Sequence, residues 1–314
     1  MFKAKFKSTL SPMYRTKKYG FQTRARNSTH RHAFTLIELL VVMSIIALLL
    51  SILVPTLGRA RWVAMVRKDA SKVKAIHQGW VSWAAGDEER FPTPGMVDRL
   101  ADPVLGREVK GRGPEDMLAN SSDNIHSLSV MQNLYSTDVI VSDSEPNGSV
   151  FVMDDYDFDV YDPTSSGDTY WDEEFDCDLQ DECHVSYASI PALGARKPLQ
   201  WKSSGSTDYA VIANRGPMFG DMSLISKTFD IHGQGRSWIG NVCWQDNHVS
   251  LEETMYPESS IYRTSDGQVP DNIFGIDCVT GVCNFYGGDS WLVLVSELSG
   301  DPLEPNLTLE WDDE

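Results

Sequence analysis

The chain lacks every short catalytic motif that would by itself indicate an enzyme. It contains no HExxH, no GxSxG, no P-loop and no GxGxxG that leads into a helix. It also lacks an internal repeat of about 20–50 residues, which excludes the common repeat architectures. A sequence of 314 residues therefore predicts one or two domains and a protein that is not an enzyme.

Basic residues are scarce outside the N-terminal segment. Residues 1–33 hold nine Lys and Arg and no Asp or Glu, and the remainder has 18 basic against 45 acidic residues, a net charge of −27. Because phosphate binding needs a basic surface, this charge argues against nucleic acid as a partner.

Charge is almost absent from residues 34–57, a run of 24 residues whose one charged member is Glu38. A helix of that length reaches about 36 Å, enough to cross a hydrocarbon core of about 30 Å. A carboxylate there costs on the order of 2.5–3.5 kcal/mol, so Glu38 needs a partner. The run is too long for a conventional secretory signal and no convincing cleavage site follows it, which disfavours an ordinary signal anchor.

The residues Phe34-Thr-Leu-Ile-Glu38-Leu, after a basic leader, resemble the cleavage and methylation motif of type IV prepilins and type II secretion pseudopilins. The resemblance implies that prepilin peptidase cuts between Ala33 and Phe34 and that Phe34 is then N-methylated. It also implies that Glu38 neutralises a terminal ammonium during assembly, and Pro55 falls where many pilins carry proline. Ala33 stands where the family usually has Gly, which predicts slower processing.

This resemblance implies a fold, a location and a function. The fold is α+β, a long N-terminal membrane-spanning helix packed on a C-terminal antiparallel β-sheet domain. We expect a single-pass inner-membrane protein with a cytoplasmic N-terminus and a periplasmic or extracellular C-terminal domain, although six basic residues between Arg59 and Lys74 weaken the charge argument for that orientation. Its implied work is that of a structural subunit, assembled through the helix into a secretion- or pilus-related fibre. The implied partners are prepilin peptidase, other pilin or pseudopilin subunits, an inner-membrane assembly platform and membrane lipid.

The alternative is a membrane-anchored envelope protein that uses the prepilin signal only for targeting. Such a protein would bind glycan or calcium through its acidic, aromatic-bearing insert at residues 154–182, where thirteen of 29 residues are Asp or Glu. No fibre would form.

The helical pattern continues beyond the apolar run. Apolar residues recur every three or four positions from Trp62 to Trp83, which predicts an amphipathic helix over residues 58–86 that continues the anchor. One helix from Phe34 to about Ala85, bent at Pro55, is the expectation. A break near Gly58 into two separate helices is the alternative.

Residues 87–299 are predicted to form the extracytoplasmic α+β domain. Short β-like runs at residues 209–212, 240–244 and 291–295 are separated by turn residues, which is typical of an antiparallel sheet. We expect the acidic tail at residues 300–314 to be poorly ordered.

A second resemblance lies near the end of this domain. His232 and the segment Gly240-Asn-Val-Cys-Trp-Gln-Asp-Asn-His-Val249 resemble the C-terminal processing-associated domain, of the His…Asp-Gly type, in bacterial prepilin-like proteins. Asn247 replaces the Gly and tolerates positive φ, so a tight turn between two strands survives. His232, Asp246 and His248 have metal-ligand or acid–base chemistry, but their spacing matches no zinc pattern, and a hairpin is the favoured interpretation.

No cofactor is expected, and calcium is the one candidate. Asp155, Asp157 and Asp159 offer alternating carboxylates, but Val160 and Ser166 occupy the positions where an EF-hand loop has Gly and an acid. A solvated acidic surface is the favoured interpretation.

Five cysteines are compatible with an oxidising compartment. The spacing allows local disulfides Cys177–Cys183 and Cys278–Cys283, with Cys243 left over, or five reduced thiols.

Overall fold

The structure, a computed structural model, describes residues 34–161, 169–194, 196–233, 235, 237–264, 267–276, 288–301 and 304–312. The helices in this part of the chain are α1 (Leu36–Ala84), α2 (Pro94–Val97), α3 (Ser122–Met131), α4 (Thr137–Ile140) and α5 (Arg196–Gln200). The strands are β1 (Tyr187–Ser189), β2 (Ala210–Asn214), β3 (Gly240–Trp244), β4 (Val249–Glu252), β5 (Ile261–Thr264), β6 (Gly267–Pro270), β7 (Leu294–Asp301) and β8 (Glu304–Glu310). The predicted α+β class is confirmed.

Helix α1 is continuous over 49 residues and passes through Pro55 and Gly58. The predicted single helix is therefore confirmed, and the alternative of a break near Gly58 is wrong. The chain forms two compact units, one ending at Pro55 and the other beginning at Thr56. In the first unit the described side chains are exposed, and α1 is long and apolar enough to cross a membrane.

The second half of α1 buries one face in the globular unit. Its buried positions recur at helical spacing, because a straight helix with period 3.6 returns to the same face every three or four residues. They are Val66, Asp69, Val73, Ile76, His77, Gly79, Trp80 and Ala84. Trp80 lies at the centre, with its ring 4.9 Å from that of Trp201 and its Nε1 donating to the Tyr135 hydroxyl at 3.0 Å.

The face of α1 packs in a core that also contains a four-stranded antiparallel sheet of order β1-β2-β3-β4. The predicted strands at residues 209–212 and 240–244 correspond to β2 and β3, which pair with each other. The predicted strand at 291–295 begins later, at Leu294, while Val293 makes only an isolated antiparallel bridge to Ser189 of β1.

The prediction of a poorly ordered acidic tail was wrong. Strand β8 pairs along its length with β7, and Leu307, Leu309 and Trp311 pack against a small buried cluster that includes Trp291. Alternation of apolar and polar residues supplies a half-buried apolar face that the acidic composition obscured. Asp312 then forms a buried ion pair with Arg215.

The acidic insert is also more than a surface loop. Its described residues form turns rather than a strand, and Trp171, Phe175 and Leu179 are each about 1% exposed. The insert is therefore anchored in the core by aromatic and aliphatic side chains between its carboxylates.

The disulfide that the spacing allows between Cys177 and Cys183 is not formed in the structure. The two residues are bridge partners on antiparallel segments, but both thiols are free and buried. Cys177 Sγ donates to the carbonyl oxygen of Val295 and Cys183 Sγ to that of Val185, so the sulfurs point to different acceptors. Cys243 is also free, and Cys278 and Cys283 lie outside the described residues.

Candidate functional site

The N-terminal motif folds as a reciprocal helix cap. Both the backbone N–H and the hydroxyl of Thr35 donate to Oε2 of Glu38 at 2.8 Å, and the Glu38 N–H donates to Thr35 Oγ1 at 3.2 Å. This is the capping-box arrangement, in which a Thr and a Glu three residues later satisfy each other's free backbone donors. The spacing Thr35-x-x-Glu38 is the sequence signal for a capping box. The sequence analysis considered Glu38 only as an assembly residue and so did not predict the cap.

The cap places the Glu38 carboxylate at the start of α1, next to the predicted cleavage point. Phe34 precedes it and is 73% exposed, whereas Ala33 lies outside the described residues. A carboxylate is favourable there because the helix N-terminus carries partial positive charge. The same oxygens are exposed and could accept hydrogen bonds from an ammonium group. The processing roles of Ala33 and Phe34 and the assembly roles of Glu38 and Pro55 stay predictions.

A second group of residues, here called the Asp69 cluster, joins α1 to the sheet. Asp69 of α1 accepts hydrogen bonds from Tyr187 Oη at 2.6 Å, Asn214 Nδ2 at 2.7 Å and Asn241 Nδ2 at 3.1 Å. His232 Nε2 lies 3.1 Å from the same carboxylate. These five residues are each no more than 3% exposed.

Hydrogen bonding outweighs burial at this carboxylate. Burial alone would raise the pKa of Asp69, but hydrogen bonds from His232, Ser142 and Tyr187 leave that pKa below its usual value. The pKa of Tyr187 is raised well above its usual value, first by burial and then by the neighbouring charge. The cluster therefore holds an ionised carboxylate among fixed donors, an arrangement that fastens α1 to the sheet.

Further contacts beside the cluster fasten the same two elements. Trp62 Nε1 donates to the carbonyl oxygen of His232 at 3.1 Å, and Asn241 Nδ2 donates to that of Val66 at 3.1 Å. His232 and Asn241, from the segment that resembles the processing-associated domain, therefore contact the helix that follows the predicted cleavage point.

The turn of the β3–β4 hairpin contacts α1 as well. Asn247 has a φ of 66°, the left-handed conformation that the sequence predicts for an Asp-Asn turn. Its Oδ1 lies 3.0 Å from His77 Nδ1, and its Nδ2 donates to Gln78 Oε1 at 2.6 Å. Glycine at this position could form the turn but neither of these hydrogen bonds.

The structure gives no contact that joins His232 to Asp246 or His248, the three residues considered as a metal or acid–base site. His232 contacts Asp69, whereas Asp246 and His248 contact each other at the exposed end of the hairpin. In the acidic insert Asp157 Oδ1 accepts from the Asp159 N–H at 2.8 Å, which makes it part of a turn. Within the described ranges no three His, Cys, Asp or Glu side chains are grouped so that they could hold a metal ion. Calcium binding at Asp155, Asp157 and Asp159 stays a prediction.

Comparison with known proteins bears on the first of these sites. Residues 28–54 match the family model described as the prokaryotic N-terminal methylation motif. Neither the search of curated proteins nor that of solved structures found a match. The match includes Phe34, Glu38 and most of the apolar segment of α1, and together with the long helix it fits a type IV pilin or pseudopilin precursor.

Proposed function

From the methylation motif at residues 28–54 and the helix that it opens, we propose that the chain is a structural, non-enzymatic pilin-like subunit. It is cleaved by prepilin peptidase before Phe34 and assembled through its N-terminal helix into a fibre of a secretion or pilus system. The basic leader stays in the cytoplasm, and the acidic domain lies in the periplasm or outside the cell.

The observation that carries the proposal is the uncovered apolar surface of α1. Large apolar side chains from Phe34 to Leu57 are between 44% and 79% exposed. Burying one such side chain is worth about 1.5–3 kcal/mol, so this surface is unfavourable in water. Lipid can cover it, and so can the equivalent helices of neighbouring subunits.

Processing is tested by mass spectrometry of N-terminal peptides from the membrane fraction, with and without prepilin peptidase. We expect a mature terminus at Phe34, N-methylated, only in the strain that has the peptidase. An intact leader in both strains would contradict the proposed maturation.

Assembly is tested by crosslinking in intact membranes. A cysteine introduced at Leu48, which is 64% exposed on the apolar segment, should give crosslinked dimers and adducts with partner pilins. A cysteine at Ile225, which is 72% exposed in the globular unit, is the control for random collision.

The second candidate is the anchored binding protein, and one observation favours it. An open cavity in the globular unit is lined by carboxylates of the acidic insert. Under this hypothesis the leader is cleaved as above, but the Leu48 crosslinks do not exceed those of the Ile225 control.

A further inference from the structure

A cavity of about 660 Å³ lies beside the acidic insert in the globular unit. Four carboxylates line it, together with one imidazole and an apolar wall. The lining residues are Phe151, Val152, Met153, Asp154, Asp155, Glu174, Glu182 and His184. Neither Lys nor Arg is among them.

His184 distinguishes this cavity from a solvated acidic surface. Its side chain is 2% exposed, and its Nδ1 lies 3.0 Å from the carbonyl oxygen of Phe151. Because a carbonyl only accepts, Nδ1 carries the proton, and in the neutral ring Nε2 is an acceptor.

That acceptor has no hydrogen-bond partner. Nε2 of His184 is buried without one, and it lies 3.4 Å from Oε1 of Glu182. In that neutral ring, Nε2 and Glu182 Oε1 are two acceptors that face each other with no donor between them. A buried acceptor left unpaired costs about 1–3 kcal/mol, so a ligand that brings N–H donors would relieve it.

The spacing of the acidic groups suits an organic cation better than a metal ion. In the part of the chain that the structure describes, no three metal-ligating side chains come together. The cavity is large for a bare ion, and Phe151, 45% exposed, offers a ring over which a cation can lie. A guanidinium or ammonium group combines positive charge with several N–H donors.

We propose that this cavity binds a guanidinium or ammonium group presented by a polypeptide. Glu182 and His184 accept its hydrogen bonds, Asp154, Asp155 and Glu174 supply the opposite charge, and Phe151 contacts its apolar stem. The proposal goes beyond assembly through the helix and does not depend on it.

The chain itself offers one such polypeptide, the segment from Arg99 to Gly113, here called the basic loop. Arg107 and Arg112 are exposed in it, and neither forms an ion pair within the described ranges. Val104 at its tip is 89% exposed. In a chain so acidic, the basic loop of a second copy is a source of the required cation.

The test measures binding to the full chain in detergent micelles. The first probe is a fluorescein-labelled peptide of the basic loop sequence, followed by fluorescence anisotropy, and the matched probe has Gln at both Arg107 and Arg112. The second probe is N-acetylarginine amide, followed by the NMR signals of the His184 ring.

Two double variants compare the cavity with the rest of the surface. Glu174→Gln with Glu182→Gln removes two carboxylates from the cavity, and Glu253→Gln with Glu258→Gln removes two exposed carboxylates elsewhere. All four side chains are exposed, so folding is preserved in both. For a probe that binds the wild-type chain, we expect the cavity variant to weaken its binding about tenfold. The control variant should weaken it by less than about twofold.

Each outcome decides the question. Binding of the loop peptide that depends on its arginines and on the cavity supports the site with a second copy as source. Binding of N-acetylarginine amide alone supports the site with another basic polypeptide as source. If neither probe binds, or if both double variants lose the same affinity, the proposal is overturned. This holds whether or not the leader is cleaved.

Discussion

Asp69 shows how one residue fixes the position of a helix. A buried carboxylate is costly unless its oxygens are paired, and here Tyr187, Asn214 and Asn241 donate to it with His232 beside them. An apolar residue at this position would pack against the sheet in several registers, whereas four directed polar partners select one.

We therefore expect Asp69→Ala to lower the free energy of unfolding by about 3–5 kcal/mol, because four buried polar groups lose their partner. Asp69→Asn should cost less, since one acceptor remains. Urea unfolding of the full chain in detergent, followed by tryptophan fluorescence, measures both. Glu258→Ala is the exposed control, and a loss at Asp69→Ala no larger than that of the control would contradict the role of the cluster.

Glu38 caps α1 and has a proposed second role in assembly, and one pair of variants separates the two. Gln at the third helical position can serve in a capping box but carries no charge. Val carries no charge either, and it cannot serve in the capping box. If charge neutralisation drives assembly, Glu38→Gln and Glu38→Val should both be inserted and cleaved, yet both should be missing from fibres and from complexes with partner pilins. Co-purification of Glu38→Gln at wild-type yield would show that the cap alone suffices.

At the scale of elements, the β3–β4 hairpin is fastened to α1 through its turn. Asn247 is the residue that both forms the turn and hydrogen-bonds to His77 and Gln78. The hairpin and the helix are therefore oriented by a contact that lies outside the apolar core.

Asn247→Gly keeps the left-handed turn and removes only the side-chain contacts, so we expect it to cost about 1–2 kcal/mol of unfolding free energy. Asn247→Ala removes the same contacts and adds about 1–2 kcal/mol for positive φ. The difference in free energy of unfolding between the two variants, measured by urea unfolding, gives the cost of positive φ for Ala at this position. Equal stability of Asn247→Gly and wild type would show that the contact to α1 contributes nothing.

Sequence reasoning succeeded where the signal is local. The period of α1, the runs of β2 and β3 and the Asp-Asn turn all lie within short windows. It failed at β8, where acidic composition hid the alternation of Leu307, Leu309 and Trp311. The Asp69 cluster could not be predicted from the sequence for a different reason. Asp69 is 118 residues from Tyr187 and 163 from His232, and no short window holds both partners.

At the scale of the whole molecule, buried acids make stability depend on pH. Burial raises the pKa of Asp271 to about 7 and that of Asp123 to about 7, from 3.8. Between about pH 4 and pH 7 the folded state then holds protons that the unfolded state has released. Each of these groups therefore makes the protein less stable as pH rises through that window, and its effect levels off above it.

Asp271→Asn should remove the contribution of Asp271 to the pH dependence of stability. The carboxylate accepts from the Ser260 hydroxyl and the Ser290 N–H, both at 2.7 Å, and an amide oxygen can accept the same bonds. We expect the Tm of the variant relative to wild type to rise as pH increases from about 4 to 8. Thermal unfolding at several pH values measures it, and a constant difference would contradict the raised pKa.

The long separation between α1 and the residues that cover it also has a consequence in time. The hydrogen bonds of α1 to Asn214, His232, Asn241 and Asn247 span 145 to 175 residues. At a synthesis rate of about 5–20 residues per second, the residues that cover α1 are made roughly 7–35 s after the helix itself. During that interval Val73, Ile76 and Trp80 have no sheet to pack against. We therefore expect this face of α1 to stay unpacked in the newborn chain until the hairpin has been made.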